Sequence, residues 1–264
     1  MPSKLEEIVA GARREVAARK REIRAATLER QALEHTPRGF REALRLSAGI
    51  AVIAELKKAS PSKGLIRAEF PVAELARELQ AAGAAALSVL TNEKYFQGSL
   101  TNLEIASAAV DVPCLRKDFI VDEFQLPEAR AHGADAVLLI VTALTDDELM
   151  RLRAAAREWQ LDVLCEVHDA MELHRALDAE CDLIGVNNRN LHTFEVDLNT
   201  SLGLVELIPG GVLKIAESGI ESVADIFRLR QTGYDGFLIG ESLMRAPSPG
   251  AALRELLAQA VATR

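Results

Sequence analysis

From residue 49 onward, short apolar runs alternate with segments whose apolar residues recur every three or four positions. The runs are rich in branched aliphatic residues, as strands buried on both faces of a parallel sheet are. The intervening segments, such as those at 71–83 and 145–159, have the spacing of amphipathic helices. The pattern predicts eight strands with the sequences IAVIAELK, AALSVLT, PCLRKD, AVLLIV, DVLCEV, LIGVNN, LKIAES and GFLIG.

Eight repeated strand–helix units fit either a closed barrel or a long doubly wound sheet. Closure is favoured because it removes both sheet edges and because no inserted substrate domain interrupts the units. A dinucleotide-binding sheet would carry G-x-G-x-x-G after its first strand, whereas residues 55–64 read ELKKASPSKG. The sequence therefore predicts an α/β fold, a (β/α)₈ TIM barrel formed by residues 49–264.

An amphipathic segment precedes the barrel and predicts a helix over residues 3 to about 30. Its apolar stripe consists of Leu5, Ile8, Val9, Ala12 and Val16. A stripe of this kind has to be covered, so we expect residues 1–48 to form a helical extension packed on the barrel, within one overall domain. The extension is suited to closing one mouth of the barrel, and the sequence does not choose between the two mouths.

Composition and charge narrow the possible partners. A chain of 264 residues that is 49% hydrophobic can bury one large core. Its net charge of -8 repels nucleic-acid backbones, so an anionic ligand has to be held by a local cluster of positive groups. The basic N-terminal segment could be read as a nucleic-acid-binding arm, but its interleaved glutamates favour an ion-paired helix face. We therefore expect a small-molecule ligand and no nucleic acid.

The cysteines and the N-terminus indicate the compartment. The three cysteines are an odd number without histidine partners, which favours neither a disulfide framework nor a metal site. The N-terminus lacks the apolar core of a signal peptide, and no later run is long enough to span a membrane. We expect a cytoplasmic protein without a membrane partner, either a monomer or a weak homodimer.

Ionisable residues stand near the carboxyl ends of three predicted strands. Glu55 and Lys57 share a face of strand one, Lys117 ends strand three, and Glu166 lies in strand five. In a barrel these positions face the mouth where catalytic groups sit. A structural ion pair explains any single one of them equally well. The four together indicate function, because converging lysines and carboxylates can divide acid and base roles.

Polar residues at other strand ends complete the same mouth. Asn187 and Arg189 follow strand six, and an amide with a guanidinium suits a carboxylate or hydroxyl ligand, although both are ordinary loop residues. Ser60 in the loop after strand one joins them, whereas Lys63 is interpreted as a solvated surface lysine. His168 is interpreted as a loop or helix-cap residue rather than as a general base.

Small-residue turns end the last two strands. Ser218 and Gly219 follow strand seven, and Gly240 and Glu241 follow strand eight. Turns that lead into helices bind phosphate through backbone N–H groups, and glycine lets the phosphate approach closely. Both turns together predict a phosphate site.

The segments ELKKASPSKG, SVLTNEKYFQGS, RKDFIVDEFQ, LCEVH, GVNNRNL, IAESGI and FLIGESLM occur in this order over nearly the whole chain. Together they closely resemble the indole-3-glycerol phosphate synthase family of the tryptophan pathway. The resemblance implies ring closure of 1-(2-carboxyphenylamino)-1-deoxyribulose 5-phosphate to indole-3-glycerol phosphate, with loss of carbon dioxide and water. It also implies that no metal or organic cofactor takes part.

The resemblance assigns roles to the charged residues. Lys117 resembles the general acid that protonates the developing alkoxide, and Lys57 resembles the lysine that contacts the anthranilate carboxylate and serves the dehydration. Glu55 would orient these lysines, and Ser60 would lie near the phosphate. Glu166 resembles the base that removes a proton as water leaves. The division of labour among the lysines and glutamates stays open, because coupled groups do not titrate independently.

The remaining roles concern positioning. By the same resemblance Asn187, Arg189 and Ser218 would hold the ribulose part and the carboxylate. Phe96 and Phe119 would form an apolar wall for the anthranilate ring.

Two residues depart from the family pattern. Asn190 stands where an aspartate often follows the arginine, and Glu241 occupies a position that is serine in some relatives. A carboxylate beside a phosphate would repel it. We therefore expect the backbone N–H of Glu241 to bind the phosphate while its side chain faces solvent.

Two other functions remain as alternatives. One is an aldolase-like barrel in which Lys117 attacks a carbonyl and forms a Schiff base. The other is a phosphate-binding regulatory barrel that has lost its chemistry. The acid and base groups at the strand ends speak against the second.

Overall fold

Eight parallel strands close into a barrel in this computed structural model, which describes residues 3–47, 49–191 and 193–262. Each strand pairs with its neighbours in chain order, and the last strand pairs with the first. The barrel confirms the predicted (β/α)₈ fold. Its strands are β1 (Ala51–Leu56), β2 (Ala86–Leu90), β3 (Cys114–Lys117), β4 (Ala136–Ile140), β5 (Asp162–Val167), β6 (Leu183–Asn187), β7 (Leu213–Glu217) and β8 (Gly236–Ile239).

Helices surround the barrel and precede it. In chain order they are α1 (Lys4–Glu22), α2 (Ala25–Ala32), α3 (Phe40–Arg45), α4 (Val72–Ala81), α5 (Glu93–Phe96), α6 (Leu100–Ala109), α7 (Gln125–Ala131), α8 (Asp146–Glu158), α9 (Ala170–Asp178), α10 (Asn199–Leu204), α11 (Val223–Gln231), α12 (Glu241–Arg245) and α13 (Pro249–Ala262). A short antiparallel hairpin, Ala59–Ser60 with Gly64–Leu65, follows β1. Across the described residues, no helix combines the length and the apolar character needed to cross a bilayer.

The segment that the sequence predicts as one helix, residues 3 to about 30, forms α1 and most of α2, so that prediction is wrong. Ile23 and Arg24 adopt extended backbone between α1 and α2. The break lets the two helices bury their apolar faces in different places. Leu5 and Ile8 of α1 line a cavity at the carboxyl ends of the strands, whereas α2 packs against α7. A single straight helix could not make both contacts.

The end of the extension is anchored at the opposite end of the barrel. The guanidinium of Arg38 donates to the fully buried carboxylate of Asp135, which precedes β4, with its Nε at 3.0 Å and a terminal nitrogen at 2.6 Å from Oδ2. Burial alone would raise the pKa of Asp135, but hydrogen bonds from His35 and Arg38 hold it below its usual value. Asp135 therefore stays ionised and pairs with Arg38. Because α1 lies at the carboxyl-terminal mouth and Arg38 at the other end, the extension spans the length of the barrel.

Candidate active site

A single cavity of about 590 Å³ opens at the carboxyl ends of the barrel strands. Every residue that the sequence assigns to chemistry or to ligand binding lines this cavity. They are Glu55, Lys57, Ser60, Phe96, Lys117, Phe119, Glu166, Asn187, Arg189, Ser218, Gly219, Gly240 and Glu241. The fold therefore brings together groups that lie up to 186 positions apart in the chain (241 minus 55).

Four ionisable side chains form the layer of the barrel interior that meets the cavity. They come from the alternate strands β1, β3, β5 and β7, as the members of one layer do in this fold. The four residues are Glu55, Lys117, Glu166 and Glu217. An apolar layer is replaced here by one lysine and three carboxylates.

Lys117 holds the centre of this layer. Its Nζ donates to Oε2 of Glu166 at 2.8 Å and to Oε2 of Glu217 at 2.6 Å. Burial alone would lower the pKa of Lys117, but the charges of Glu166, Glu217 and Glu55 raise it above its usual value. Lys117 is therefore an ammonium ion, which can donate a proton and stabilise negative charge but is not a free amine nucleophile.

Glu166 is held in its ionised form. Burial alone would raise its pKa, but the charges of Lys117 and His168 and hydrogen bonds from Lys117 and Asn187 lower it to about 2. A buried carboxylate that stays ionised beside a cavity is suited to accept a proton once its partner Lys117 has lost its positive charge.

Glu217, the last residue of β7, is a site residue that the sequence reasoning missed. Its Oε1 is buried and has no hydrogen-bond partner among the described residues. Burial and the charges of Glu166 and Glu55 raise the pKa of Glu217 to about 7, against the opposite influence of Lys117. Glu166 and Glu217 thus share one ammonium, and Glu217 is the member of the pair that takes a proton first.

Its position carried a usable signal. The strand-end pattern that selects Glu166 applies equally to Glu217, because the run LKIAES ends in a charged residue. The prediction for that run concerned only the phosphate-binding turn that follows it, at Ser218 and Gly219. Gly185 on β6 makes room for this side chain, since a Cβ there would overlap Oε1 of Glu217 and lie 3.2 Å from Leu164.

Glu55 and Lys57 form a second pair at the end of β1. Oε1 of Glu55 lies 2.7 Å from Nζ of Lys57, and both side chains are largely buried. The backbone of Gly240 packs directly on this pair, because a Cβ at position 240 would lie 2.9 Å from Cβ of Glu55. The turn after β8 is thereby placed next to Glu55 and the lysine that follows β1.

The turn after β7 has a conformation that favours anion binding. Ser218 and Gly219 both have left-handed backbone, with φ of 65° and 73°. Backbone N–H groups in such a turn point into a shared concavity. The amide of Asn188 steadies it by donating to the carbonyl oxygen of Ser218 at 3.1 Å. The turn does not lead directly into a helix as predicted, because α11 begins at Val223 behind its own cap, Ser222.

Glu241 does not face solvent, so that expectation is wrong. Its side chain is only 24% exposed, and its Oε2 lies 3.5 Å from a terminal nitrogen of Arg189. Arg245 approaches its other oxygen at 3.1 Å. Arg189 holds one oxygen of the carboxylate at the cavity and the half-exposed Arg245 holds the other, and the two positive charges offset the repulsion that Glu241 would exert on a phosphate.

Apolar side chains cover the remaining wall. Phe119 is buried and Phe96 is half-buried, and both lie against the cavity together with Leu5 and Ile8 of α1. Lys63 is exposed at the rim, as its interpretation as a surface lysine requires. The cavity therefore joins a flat apolar wall to a charged floor.

His168 lies closer to this floor than its interpretation as a loop or cap residue suggests. It stands just before Asp169, which caps α9, and its ring bonds to Glu172. Its Nε2 lies 3.5 Å from Oε1 of Glu166. One signal of this proximity is present in the sequence, namely the spacing of two positions between Glu166 and His168.

Comparison with known proteins identifies the relatives of the chain. The family model described as indole-3-glycerol phosphate synthase matches residues 5–256. An indole-3-glycerol phosphate synthase of Koribacter versatilis (strain Ellin345) is 63% identical over 259 residues, 97% of this chain and 100% of that protein. One of Polynucleobacter asymbioticus (strain DSM 18221 / CIP 109841 / QLW-P1DMWA-1) is 52% identical over 225 residues, 84% of each chain.

Solved structures of more distant sequence share the architecture. A thiamine phosphate pyrophosphorylase from Pyrococcus furiosus superposes with a TM-score of 0.61 at 20% identity, over 83% of this chain and 98% of that one. A mandelate oxidase variant gives a TM-score of 0.59 at 20% identity, over 81% of this chain and 72% of that one. At this identity the likeness concerns the barrel fold alone.

Proposed function

The chain belongs to the indole-3-glycerol phosphate synthase family, and we propose that the lysines and glutamates of its cavity carry out the ring closure by general acid–base catalysis. The enzyme is a carboxy-lyase of tryptophan biosynthesis. It converts 1-(2-carboxyphenylamino)-1-deoxyribulose 5-phosphate to indole-3-glycerol phosphate, carbon dioxide and water. The observation that carries the mechanism is the ammonium of Lys117 between the carboxylates of Glu166 and Glu217.

Lys117 acts first, as the acid. A carbon of the anthranilate ring bonds to the ketone carbon of the ribulose part, and the ketone oxygen develops negative charge. The ammonium of Lys117 stabilises that charge and transfers a proton to the oxygen. Carbon dioxide then leaves from the ring carbon and restores the aromatic ring. The carboxyl of Glu217, 2.6 Å from Nζ and with a pKa near neutrality, is placed to return a proton to the amine.

Glu166 acts in the dehydration. The hydroxyl formed in the first step leaves as water. The ionised carboxylate of Glu166 removes the proton that the substrate itself loses in this elimination. Lys57 lies on the other side of the cavity and is suited to hold the anthranilate carboxylate and to assist the leaving hydroxyl. Glu55 orients Lys57 at 2.7 Å.

The other groups hold the substrate. The backbone N–H groups at Gly219, Gly240 and Glu241 suit the phosphate, with Ser60 beside them. Asn187, Arg189 and Ser218 suit the ribulose hydroxyls and the carboxylate. The wall formed by Phe96 and Phe119 suits the anthranilate ring, because a flat apolar surface removes water from it.

Partners and compartment follow from the same proposal. We propose that the enzyme works in the cytoplasm on its small phosphorylated substrate, as a monomer or weak homodimer without nucleic acid or membrane partners. Side chains supply the acid, the base and the charge in each proposed step. Residues 1–48 and 49–264 are proposed to act as one domain, because the cavity takes side chains from both.

The test of this function is direct. Purified protein is incubated with 1-(2-carboxyphenylamino)-1-deoxyribulose 5-phosphate, and the indole fluorescence of the product is followed. Appearance of the indole with release of carbon dioxide supports the proposal. A folded protein that binds the substrate but does not convert it would favour the alternative of a phosphate-binding regulatory barrel. A borohydride-trapped adduct on Lys117 would favour the Schiff-base alternative, which the raised pKa of Lys117 disfavours.

Replacement of Gly185 by alanine is expected to lower kcat about 10- to 100-fold. The new methyl group would occupy the place of Oε1 of Glu217 and push that side chain away from Lys117, and a displacement of this size has such an effect on well-oriented groups. Steady-state kinetics by indole fluorescence measures it. Gly203→Ala is the control, because an added Cβ at position 203 meets no atom within 4 Å. Equal kcat values for Gly185→Ala and wild type would contradict the role given to Glu217.

A further inference from the structure

A histidine–glutamate pair lies directly behind Glu166. The Nδ1 of His168 lies 2.9 Å from Oε2 of Glu172, and the same oxygen accepts the backbone N–H of His168 at 2.9 Å. Asp169 holds the first turn of α9 by accepting the N–H of Glu172 at 2.8 Å. One oxygen of Glu172 therefore holds both the ring and the backbone of His168, and Asp169 fixes the turn that carries Glu172.

The free face of this imidazole points at Glu166. Its Nε2 is buried and makes no hydrogen bond within the described part of the chain, and it lies 3.5 Å from Oε1 of Glu166. The other oxygen of Glu166 accepts from Lys117 at 2.8 Å. Oε1 of Glu166 thus faces the imidazole and Oε2 faces Lys117, and the amide of Asn187 also bonds to this carboxylate.

The charges around His168 favour its protonated form. Glu166 on β5, Glu172 on α9 and Glu217 on β7 are the acidic groups that act on it, and Lys117 on β3 lies beyond Glu166. Burial alone would lower the pKa of His168, but Glu172, Glu166 and Glu217 raise it above its usual value. With Nδ1 donating to Glu172, an imidazolium presents its Nε2–H to Glu166.

We propose that His168, fixed by Glu172, is a positioning residue that orients the carboxylate of Glu166 and keeps it ionised after Lys117 has given up its proton. The proposal rests on the acid role of Lys117 and the base role of Glu166. When Lys117 donates its proton, the positive charge 2.8 Å from Glu166 disappears. Until Lys117 regains a proton, less positive charge opposes the effect of burial, which raises the pKa of Glu166 when the dehydration needs it as a base. The imidazolium of His168 remains and supplies the missing charge.

The activity test compares three variants with wild type. His168→Gln is expected to lower kcat about 10- to 100-fold with KM changed less than about 3-fold, as the loss of a group that orients a ligand does. The acidic limb of the pH profile of kcat, which reports the substrate-bound enzyme, is expected to move up by about one pH unit, because Glu166 loses the positive neighbour that remains after Lys117 has given up its proton. Glu172→Gln is expected to give a smaller change in the same direction.

His174→Gln is the matched control, because His174 is an exposed histidine of α9, the helix that carries Glu172 and begins two residues after His168. It is expected to leave kcat and the pH profile unchanged. A purely structural role for His168 would lower the melting temperature without moving the acidic limb. Wild-type kinetics for a folded His168→Gln would overturn the inference while leaving the proposed function intact. Absence of product with the wild-type protein would overturn the proposed function and this inference together.

A second measurement does not depend on turnover. The ring nitrogens of His168 are followed by ¹⁵N NMR against pH, with the signal assigned by its loss in His168→Gln. Both nitrogens are expected to be protonated at pH 7 in the wild type, and their titration is expected to move to lower pH in Glu172→Gln. A neutral imidazole at pH 7 in the wild type would overturn the inference.

Discussion

Lys117→Ala is expected to lower kcat about 10³- to 10⁴-fold, through loss of the proton donor and of the charge that stabilises the alkoxide. Lys117 is the cation that faces both Glu166 and Glu217, at 2.8 and 2.6 Å. Without it, two buried carboxylates face each other, so one of them takes up a proton at neutral pH. The variant therefore loses the acid and also disturbs the base. Indole fluorescence under saturating substrate measures kcat.

Lys63→Ala is the control for this prediction, because Lys63 is an exposed lysine on the rim of the same cavity. Its kcat is expected to stay within about 3-fold of wild type, as a solvated charge contributes little. Circular dichroism confirms that both variants fold. A Lys117→Ala protein with more than about a tenth of wild-type kcat would assign the acid step to another group, and Lys57 would be the first to test.

The strand-end rule explains how much of this site could be predicted from the sequence. Parallel strands in a barrel end at one mouth, so charged residues at the ends of apolar runs have to converge. The carboxyl ends of strands one, three and five therefore predict Glu55, Lys117 and Glu166 from the sequence alone. The same rule points to Glu217, since alternate strands contribute to one layer and β7 is the remaining odd-numbered strand. Glu217 was predictable once strands one, three and five had each supplied an ionisable group.

Side-chain directions beyond the strands were not predictable in the same way. The orientation of Glu241 toward the cavity depends on Arg189, which lies 52 positions away in the chain (241 minus 189). The break at Ile23 depends on which surfaces α1 and α2 cover. Neither position carries a glycine or proline that would mark it locally. Such features are set by tertiary contacts, which the periodicity of hydrophobic residues along the chain does not reveal.

The charged layer also has a thermodynamic cost, because Lys57 pairs with Glu55 and the single ammonium of Lys117 is shared by the buried carboxylates of Glu166 and Glu217. A buried charge without a partner destabilises a protein by several kcal/mol. Glu217 shows the consequence, with a pKa raised to about 7 and an oxygen that has no hydrogen-bond partner among the described residues. The active site is therefore expected to lower the stability of the fold, and the cost is expected to depend on pH.

Glu217→Gln is expected to become more stable relative to wild type as the pH rises from about 4.5 to about 7. In the unfolded chain Glu217 loses its proton near its ordinary pKa of 4.5, whereas in the folded protein it keeps the proton up to about 7. Below pH 4.5 both states are protonated, so this group adds no pH dependence. Between the two values the unfolded state binds fewer protons, so the wild-type free energy of unfolding falls.

The difference between variant and wild type is expected to reach on the order of 3 kcal/mol above pH 7, because each pH unit of separation is worth about 1.4 kcal/mol. Urea denaturation followed by circular dichroism at pH 4.5, 6 and 8 measures it at constant ionic strength. Glu221→Gln, which removes an exposed carboxylate four residues away, is expected to show no such trend. A difference that does not vary with pH would mean that Glu217 titrates alike in both states.

Glu217→Gln is also expected to lower kcat about 10²-fold, although it stabilises the fold at pH 8. An amide can still accept a hydrogen bond from Lys117, but it can neither hold nor return a proton. The two effects have one cause, since the burial that raises the pKa of Glu217 toward neutrality both costs stability and makes the group useful in proton transfer. A variant that is more stable and equally active would separate the two, and it would leave Glu217 only as a counter-charge for Lys117.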